Sequence, residues 1–346
     1  MVLRHQVQLD RCLTVRGFAA AAVLCVALGV TGCGSGVAPS LPGPAKSTPG
    51  VPSGPVLGYV FSPSDGTLRA MLGVKGSAQL SASMVPAGVY VAGETSTASS
   101  TALLEDATGA LFAFNLPQSA PQHVAAGLAA NARIVFSPSG QNAVVYAAGG
   151  SSITLLTGLP GTPQVQTISS ANALTAAVVS DAGTVAMASG GTPVSIGTLS
   201  ASGSFTRLAT VGAVGGLNFM PGADSLLVAD SAANTVALIR SVSSGPSTLQ
   251  LAATGLNQPV AVAGSQDGKW AIVANGGDAG LLRVDLTSGT TATKVLCSCQ
   301  PTQLASLAGG GIFRVNSLYS GPVWTVDLTS ATPQLLFVPA IAKGTP

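Results

Sequence analysis

From residue 56 onward, short apolar runs of four to seven residues alternate with turns rich in Gly, Ser, Asp and Pro. No run continues with helical spacing over 11 residues, the window in which an amphipathic helix becomes visible. Runs of this length between such turns are typical of β-strands. The pattern therefore predicts an all-β domain over residues 56–346.

The strand pattern repeats along the chain. The first turn of each unit recurs near residues 66, 99, 140, 183, 224, 268 and 310, so the later intervals are about 41–44 residues. Such a period, with four short strands in each unit, is typical of β-propeller blades, which bury each other's apolar faces. We expect seven four-stranded blades. Because the first interval is about nine residues shorter, a strand is expected to be missing from blade 1, and six blades plus a hairpin is the alternative, with Gln334–Val338 closing the ring against the amino-terminal strands.

One unit carries further landmarks over residues 257–289. They are Gln258-Pro259, Asp267-Gly268, Val273-Ala274-Asn275 and Val284-Asp285-Leu286, and Gln300-Pro301 begins the pattern again. These landmarks resemble the YVTN-type β-propeller repeats of bacterial surface and periplasmic proteins. The resemblance implies the architecture of residues 56–338. It implies no single activity, because that family includes binding, adhesive and enzymatic members.

Residues 1–32 have the pattern of a secretion signal. Three arginines precede the uncharged stretch 17–32, which is shorter than the roughly 20 residues that span a bilayer. The stretch leads into Val30-Thr31-Gly32-Cys33, which resembles a bacterial lipobox. The resemblance implies cleavage before Cys33, attachment of palmitate-type acyl chains to that cysteine and, since Gly34 follows it, sorting to the outer membrane. A plain signal peptide or an amino-terminal anchor helix is the alternative.

The predicted organisation is a signal peptide over 1–32, an acylated Cys33 with a Pro/Gly/Ser tether over 33–55, and a propeller over 56–346. Charged residues make up only 8% of the chain, which excludes a coiled coil or a charged disordered protein. Residues 33–346 contain eleven Lys and Arg against eleven Asp and Glu. With a neutral mature chain we expect no nucleic-acid partner, because such binding needs a basic surface.

Few residues in the mature chain have the chemistry of a catalytic centre. Its one histidine is His123, whereas histidine metal sites use two or three ligands. We therefore expect no catalytic residue, no metal and no cofactor. Trp270 and Trp324 lie within predicted strands, where blade packing is their expected use.

Cys297 and Cys299 are the cysteines left after the signal and Cys33. Export favours oxidation of exposed thiols. In a regular strand, residues i and i+2 are about 6.6 Å apart. Because disulfides usually span roughly 4.4–6.8 Å between Cα atoms, a bond here needs local puckering. A disulfide, two free thiols and a redox centre all remain open.

One end of the propeller is predicted to be a polar rim, formed by the turns between second and third strands and by the connections between blades. The candidate binding residues of this rim are Glu105, Asp106, Asp230, Asn275, Asp278 and Tyr319. Lys75 is assigned to the same rim. Asp, Asn and Gly also serve simply as turn residues. As exposed turn acids, Asp230 and Asp278 are expected to affect stability by no more than about 0.5 kcal/mol.

These observations favour a lipid-anchored binding or scaffolding module of the cell envelope, on the periplasmic or surface side of the outer membrane. The expected partners are the membrane, through the anchor, and an envelope protein, a small molecule or a glycan. The alternatives are a propeller-type enzyme resembling a lactonase or lyase, and a structural surface or adhesion protein.

Overall fold

A computed structural model describes residues 54–117, 120–130, 132–251, 253–318, 321–329 and 332–341. The predicted signal peptide, Cys33 and nearly all of the tether lie outside the described residues, as does Tyr319. The described residues form 27 strands in seven antiparallel sheets. The predicted seven-bladed β-propeller is therefore confirmed. In the described part of the chain, no helix has the length and apolar character needed to cross a bilayer.

The strands of each blade follow one another in the sheet in chain order. Blade 1 contains β1 (Val56–Ser62), β2 (Thr67–Val74) and β3 (Ser77–Leu80); blade 2 contains β4 (Tyr90–Ser96), β5 (Thr101–Asp106), β6 (Leu111–Asn115) and β7 (Gln122–Ala125); blade 3 contains β8 (Arg133–Phe136), β9 (Asn142–Tyr146), β10 (Ser152–Thr157) and β11 (Gln164–Ser169). Blade 4 contains β12 (Leu174–Val179), β13 (Val185–Ser189), β14 (Val194–Leu199) and β15 (Phe205–Val211); blade 5 contains β16 (Val214–Phe219), β17 (Ser225–Asp230), β18 (Thr235–Arg240) and β19 (Ser247–Leu251). Blade 6 contains β20 (Pro259–Gly264), β21 (Trp270–Asn275), β22 (Gly280–Asp285) and β23 (Thr291–Leu296); blade 7 contains β24 (Ala305–Ser306), β25 (Ile312–Arg314), β26 (Val323–Asp327) and β27 (Gln334–Val338).

The core consists of seven apolar clusters, one at each contact between neighbouring blades. The second strands, such as β9 and β13, are buried along their whole length because a blade covers each face. This double burial explains their nearly continuous apolar sequences. The outer strand β11 is mostly exposed and correspondingly polar. Trp270 packs partly buried in the cluster between blades 6 and 7, with the Arg283 guanidinium 4.6 Å from its ring centre.

The described residues give blade 1 three strands, and the directions of these strands show that the position they leave unfilled is the innermost one. We call the end that carries the second-to-third turns of the complete blades the upper rim, and the opposite end the lower rim. The β1–β2 turn lies at the upper rim, where Gly88, just before β4, donates its N–H to the Asp65 carbonyl oxygen at 2.9 Å. The β2–β3 turn lies at the lower rim, where Lys75 Nζ is 2.9 Å from Asp327 Oδ2. β1, β2 and β3 therefore occupy the second, third and fourth positions of a blade.

This shift corrects the placement of Lys75 and explains the short first interval. Lys75 belongs to the lower rim, because the described strands of blade 1 begin at the second position, which inverts the alternation of turns. The first interval is short because the turn near residue 66 is a second-to-third turn, whereas the later ones are first-to-second turns. Gln334–Val338 pairs with β26 as the outer strand of blade 7, so six blades plus a closing hairpin is wrong.

The ring closes between blades 7 and 1 by packing and polar contacts. The apolar cluster at this contact includes Val60 and Val323, both fully buried. Ala308 donates its N–H to the Leu57 carbonyl oxygen at 2.9 Å. In addition, Arg314 of β25 extends past blade 1 to Glu94 of β4, with 2.8 Å between Nη2 and Oε1. This ion pair joins blade 7 to blade 2 where the described part of blade 1 leaves the innermost position unfilled.

Candidate ligand site in the axial channel

The described candidate residues of the predicted polar rim lie at or just beyond the ends of second strands, as the repeat pattern predicts. Glu105 and Asp106 end β5, Asp230 ends β17, Asn275 ends β21 and Asp278 lies three residues further on. Their surroundings differ from exposed turns, because most of these side chains hold neighbouring backbone in place.

Asp230 is only 7% exposed and binds four backbone N–H groups. Oδ2 accepts from Gly212 at 2.7 Å, and Oδ1 accepts from Ala213, Ala232 and Ala233 at 3.2, 3.0 and 3.1 Å. Burial raises the pKa of Asp230, but the N–H donors outweigh it and hold the pKa below its usual value. The expectation that Asp230 is an exposed turn acid is therefore wrong: its carboxylate ties a turn of blade 5 to the connection from blade 4.

Asn275 and Asp278 form a similar tie in blade 6. The Asn275 side chain is fully buried and donates from Nδ2 to the Gly255 carbonyl oxygen at 2.8 Å and to Asp278 Oδ1 at 3.0 Å. Asp278 Oδ2 forms an ion pair with Lys294 Nζ. The hydrogen bond from Lys294 is the main cause that lowers the pKa of Asp278. This carboxylate thus has both a cation and an amide as partners.

Glu105 and Asp106 have different roles although they are adjacent. The Glu105 side chain is fully buried, and Oε2 accepts the Ala132 N–H at 2.9 Å. Burial raises the pKa of Glu105. Asp106 caps its own turn, accepting from Thr108 Oγ1 at 2.6 Å, and this bond lowers its pKa. Glu105 therefore holds the residue that precedes Arg133, the first residue of the innermost strand of blade 3.

Cys297 and Cys299 follow β23, and the structure joins their sulfur atoms in a disulfide. Their Cα atoms are 4.9 Å apart, closer than in a regular strand, so the chain is locally puckered there. His123 is exposed on β7 with its ring edge-on to Phe112. In the described residues, no group of three or more His, Cys, Asp and Glu side chains is placed to hold a metal ion.

Two cavities lie along the axis of the ring, bounded by the innermost strands. The lower cavity has a volume of about 410 Å³ and reaches lower-rim turn residues such as Pro138 and Pro221. The upper cavity has a volume of about 620 Å³ and reaches Gly149 and Gly190, beyond the ends of second strands. Six residues line both cavities: Arg133, Val135, Tyr146, Asn218, Gln303 and Leu304. We call these six residues the channel waist.

Four residues of the channel waist have polar side chains, and they come from three blades. Within the described residues, no hydrogen bond or ion pair involves the Arg133 guanidinium, the Tyr146 hydroxyl or the Asn218 amide. Gln303 Nε2 is buried and likewise has no partner there. Of these groups, Gln303 Nε2 is the one closed off from solvent, where an unmade hydrogen bond is costly, whereas Arg133 is exposed and Asn218 is half-buried. A cavity with a few convergent polar groups is typical of a ligand site.

Local structure explains how these side chains come to the axis. Arg133 pairs with Tyr146 across β8 and β9, so both side chains lie on the same face of blade 3. Asn218 lies on β16, where Gly216 allows close approach to blade 6: a Cβ on Gly216 would lie 2.9 Å from the Ala261 Cα. Gln303 precedes β24, and its N–H donates to the Val315 carbonyl oxygen at 3.3 Å.

A larger cavity of about 760 Å³ lies at the outer seam between blades 1 and 7. Neutral side chains and glycines such as Gly73 and Gly76 line it, together with the 56% exposed Phe337. It lacks the converging unpartnered polar groups of the channel waist. We therefore place the candidate site in the channel, although the seam has the larger volume.

Sequence reasoning missed the channel waist. Its polar residues belong to no motif, and their numbers span 133 to 303. The one available signal was Arg133 at the start of an innermost strand, because the innermost strands of blades 2, 4, 5, 6 and 7 begin with Tyr90, Leu174, Val214, Pro259 and Ala305. A cation at this point of the repeat distinguishes blade 3 from those blades.

No protein-family model matches the chain, and no curated protein matches it. A putative 6-phosphogluconolactonase from Bacteroides fragilis matches with a TM-score of 0.57 and 16% identity, over 82% of this chain and 92% of that chain. A functionally unknown protein from Desulfotomaculum acetoxidans matches with 0.57 and 15%, over 84% and 96%. Virginiamycin B lyase from Staphylococcus aureus matches with 0.52 and 14%, over 73% and 85%. At such identities the likeness concerns the fold, and by fold this chain is a seven-bladed β-propeller.

Proposed function

We propose that this protein is a lipid-anchored binding protein of the bacterial cell envelope, whose propeller takes a small polar ligand at the channel waist. The observation that carries the proposal is that four residues with polar side chains and no side-chain partner among the described residues, Arg133, Tyr146, Asn218 and Gln303, line the same two axial cavities. A bound ligand would give the buried Gln303 Nε2 the hydrogen-bond partner that it lacks, and at the other three groups it would replace water with direct contacts.

The envelope location is part of the proposal and rests on sequence. The lipobox-like residues Val30-Thr31-Gly32-Cys33 support acylation of Cys33, and the Pro/Gly/Ser-rich residues 33–55 would hold the propeller away from the membrane. We place the protein at the outer membrane, because Gly34 follows the acylated cysteine. Resemblance to YVTN-type repeats of surface and periplasmic proteins supports the same location.

Docking of an envelope protein on the polar rim stays a prediction. The contacts of Asp230 and Asn275 give these residues a structural use, so the channel waist is the better supported ligand site. The rigid ring of blades would serve either interaction as a scaffold, since its turns are held by neighbouring blades.

The test is capture of a compound by the anchored protein. The full chain is extracted in detergent, incubated with the low-molecular-weight fraction of the envelope of the cells that produce it, washed and denatured. Released compounds are identified by mass spectrometry. We expect a compound that is enriched on the wild-type protein and lost from Gln303→Leu.

The matched control is Gln250→Leu, because Gln250 is exposed on the outer strand β19, away from the axis. It should capture the compound as the wild type does. Circular dichroism and a melting curve verify that both variants fold. If no compound is enriched on the wild-type protein, or if Gln303→Leu captures it equally well, the proposed function is wrong.

A further inference from the structure

We infer that the ligand of the channel waist is a small organic anion, whose carboxylate or phosphate group is bound by Arg133. This inference rests on the proposed function and adds the chemical class of the ligand. It follows from the balance of charge in the channel, the placement of Arg133 and the neutral polar groups around it.

The balance of charge is positive. Among the residues that line the two axial cavities, the charged ones are Arg133 and Glu94. Glu94 is paired with Arg314, with 2.8 Å between Oε1 and Nη2, and also accepts the Thr95 N–H at 3.0 Å. Arg133 has no such partner in the described part of the chain. The uncompensated charge of the channel is therefore a single guanidinium, which favours an anion.

Arg133 is an exposed residue of the cavity wall, and its guanidinium has no protein partner among the described residues. Glu105 accepts the N–H of Ala132, the residue before Arg133, and so holds the backbone where β8 begins. A guanidinium offers two parallel N–H donors that match a carboxylate or phosphate, and such charge-assisted pairs are stronger than neutral hydrogen bonds. Tyr146 lies on the same face of blade 3 and lines the same two cavities.

The remaining polar groups fit an organic anion better than a bare ion. The side-chain amides of Asn218 and Gln303 each offer both donors and an acceptor, which match hydroxyl or amide groups on a ligand. Each axial cavity, at about 410 and 620 Å³, is within the roughly 300–1,000 Å³ range of small-molecule sites. Val135 and Leu304 form apolar parts of the wall of both cavities.

The experiment uses the captured compound described above and asks what Arg133 contributes. Its affinity is measured by isothermal titration with the wild-type protein, with Arg133→Gln and with Arg207→Gln. Arg207 is the matched control, because it is an exposed arginine on the outer strand β15. We expect Arg133→Gln to weaken binding at least tenfold and Arg207→Gln to leave it unchanged. Excess acetate or inorganic phosphate should displace the compound from the wild-type protein, whereas the neutral analogue acetamide should not.

Two treatments of the compound separate the possible anionic groups. Methyl esterification abolishes binding if the group is a carboxylate, and phosphatase abolishes it if the group is a phosphate monoester. A neutral compound, or one that binds Arg133→Gln as tightly as wild type, would overturn the inference and leave the proposed function intact. If nothing is captured, the proposed function itself fails and this inference fails with it.

Discussion

At the scale of single residues, the polar ends of the second strands act mainly as braces. Asp230 and Asn275 each hold the connection that enters their own blade, whereas Glu105 holds the connection that leaves it. A buried carboxylate that accepts backbone N–H groups satisfies donors that loops would otherwise leave unpaired. The positions look like binding residues in the sequence because the same residue types perform both tasks.

Asp230→Asn is expected to lower the free energy of unfolding by about 2 kcal/mol at pH 7, since hydrogen bonds to a charged group are worth roughly 1.5–3 kcal/mol. The folded-state pKa of Asp230 is below its unfolded value of 3.8. Its stabilisation is therefore present above that value and is lost as the pH falls through the folded-state pKa. Urea unfolding at neutral and acidic pH should show the variant and the wild type converging in acid.

Asp224→Asn is the control for this measurement. Asp224 is exposed, and the hydrogen bonds its side chain makes in the described structure are to Ser243, so the expected change is within about 0.5 kcal/mol. Equal losses in the two variants would contradict the bracing role of Asp230.

At the scale of elements, the ring depends on how blade 7 meets blades 1 and 2. Within residues 54–341, as far as they are described, blade 1 has no innermost strand and no strand of blade 7 pairs with it. Two ion pairs strengthen this contact. In the first pair, the Arg314 and Glu94 side chains are 3% and 27% exposed. In the second pair, the Lys75 side chain is 52% exposed and the Asp327 side chain is 1% exposed, so the first pair is the more buried.

Glu94→Ala is expected to lower the free energy of unfolding by about 3 kcal/mol, because it leaves the buried Arg314 charge without its partner. Lys75→Ala removes a half-exposed cation, and Asp327 keeps the N–H and hydroxyl of Thr329, so the expected loss is about 1 kcal/mol. Urea unfolding of both variants measures the difference. A loss from Lys75→Ala as large as that from Glu94→Ala would show that the two pairs contribute alike to closure.

At the scale of the whole molecule, a rigid ring surrounds a channel whose waist collects polar groups from blades 3, 5 and 7. The proposed anchor would place this ring at a membrane surface, connected through residues 33–55. Binding and anchoring are then separate properties, one located in the propeller and the other at Cys33. Each can be removed without the other.

Cys33→Ser is expected to abolish both incorporation of labelled palmitate and sedimentation with membranes, because the serine cannot accept the acyl chain that provides the anchor. Cys25→Ser is the matched control, since Cys25 lies within the predicted signal peptide, and this variant should still be anchored. Sedimentation in detergent-free buffer and autoradiography give the readout. Continued palmitate labelling of Cys33→Ser would contradict the lipoprotein assignment.

The sequence by itself determined the strands, the seven units and the polar ends of the second strands. It could do so because each of these depends on neighbouring residues: burial of both strand faces requires apolar runs, and each bend requires turn residues. The innermost position that the described strands of blade 1 leave unfilled corresponded in the sequence to a short interval, which by itself did not show which strand was absent. Only the direction of β1 in the ring placed Lys75 at the lower rim.

The channel waist was decided by tertiary structure alone. Arg133, Asn218 and Gln303 lie in different blades, and ring closure is what brings them to one axis. No local pattern records this convergence, because each residue on its own resembles an ordinary polar position near a strand. The repeated strands of a propeller serve the packing of its blades. Residues that depart from the repeat can form a site together only where closure of the ring brings them to the same place.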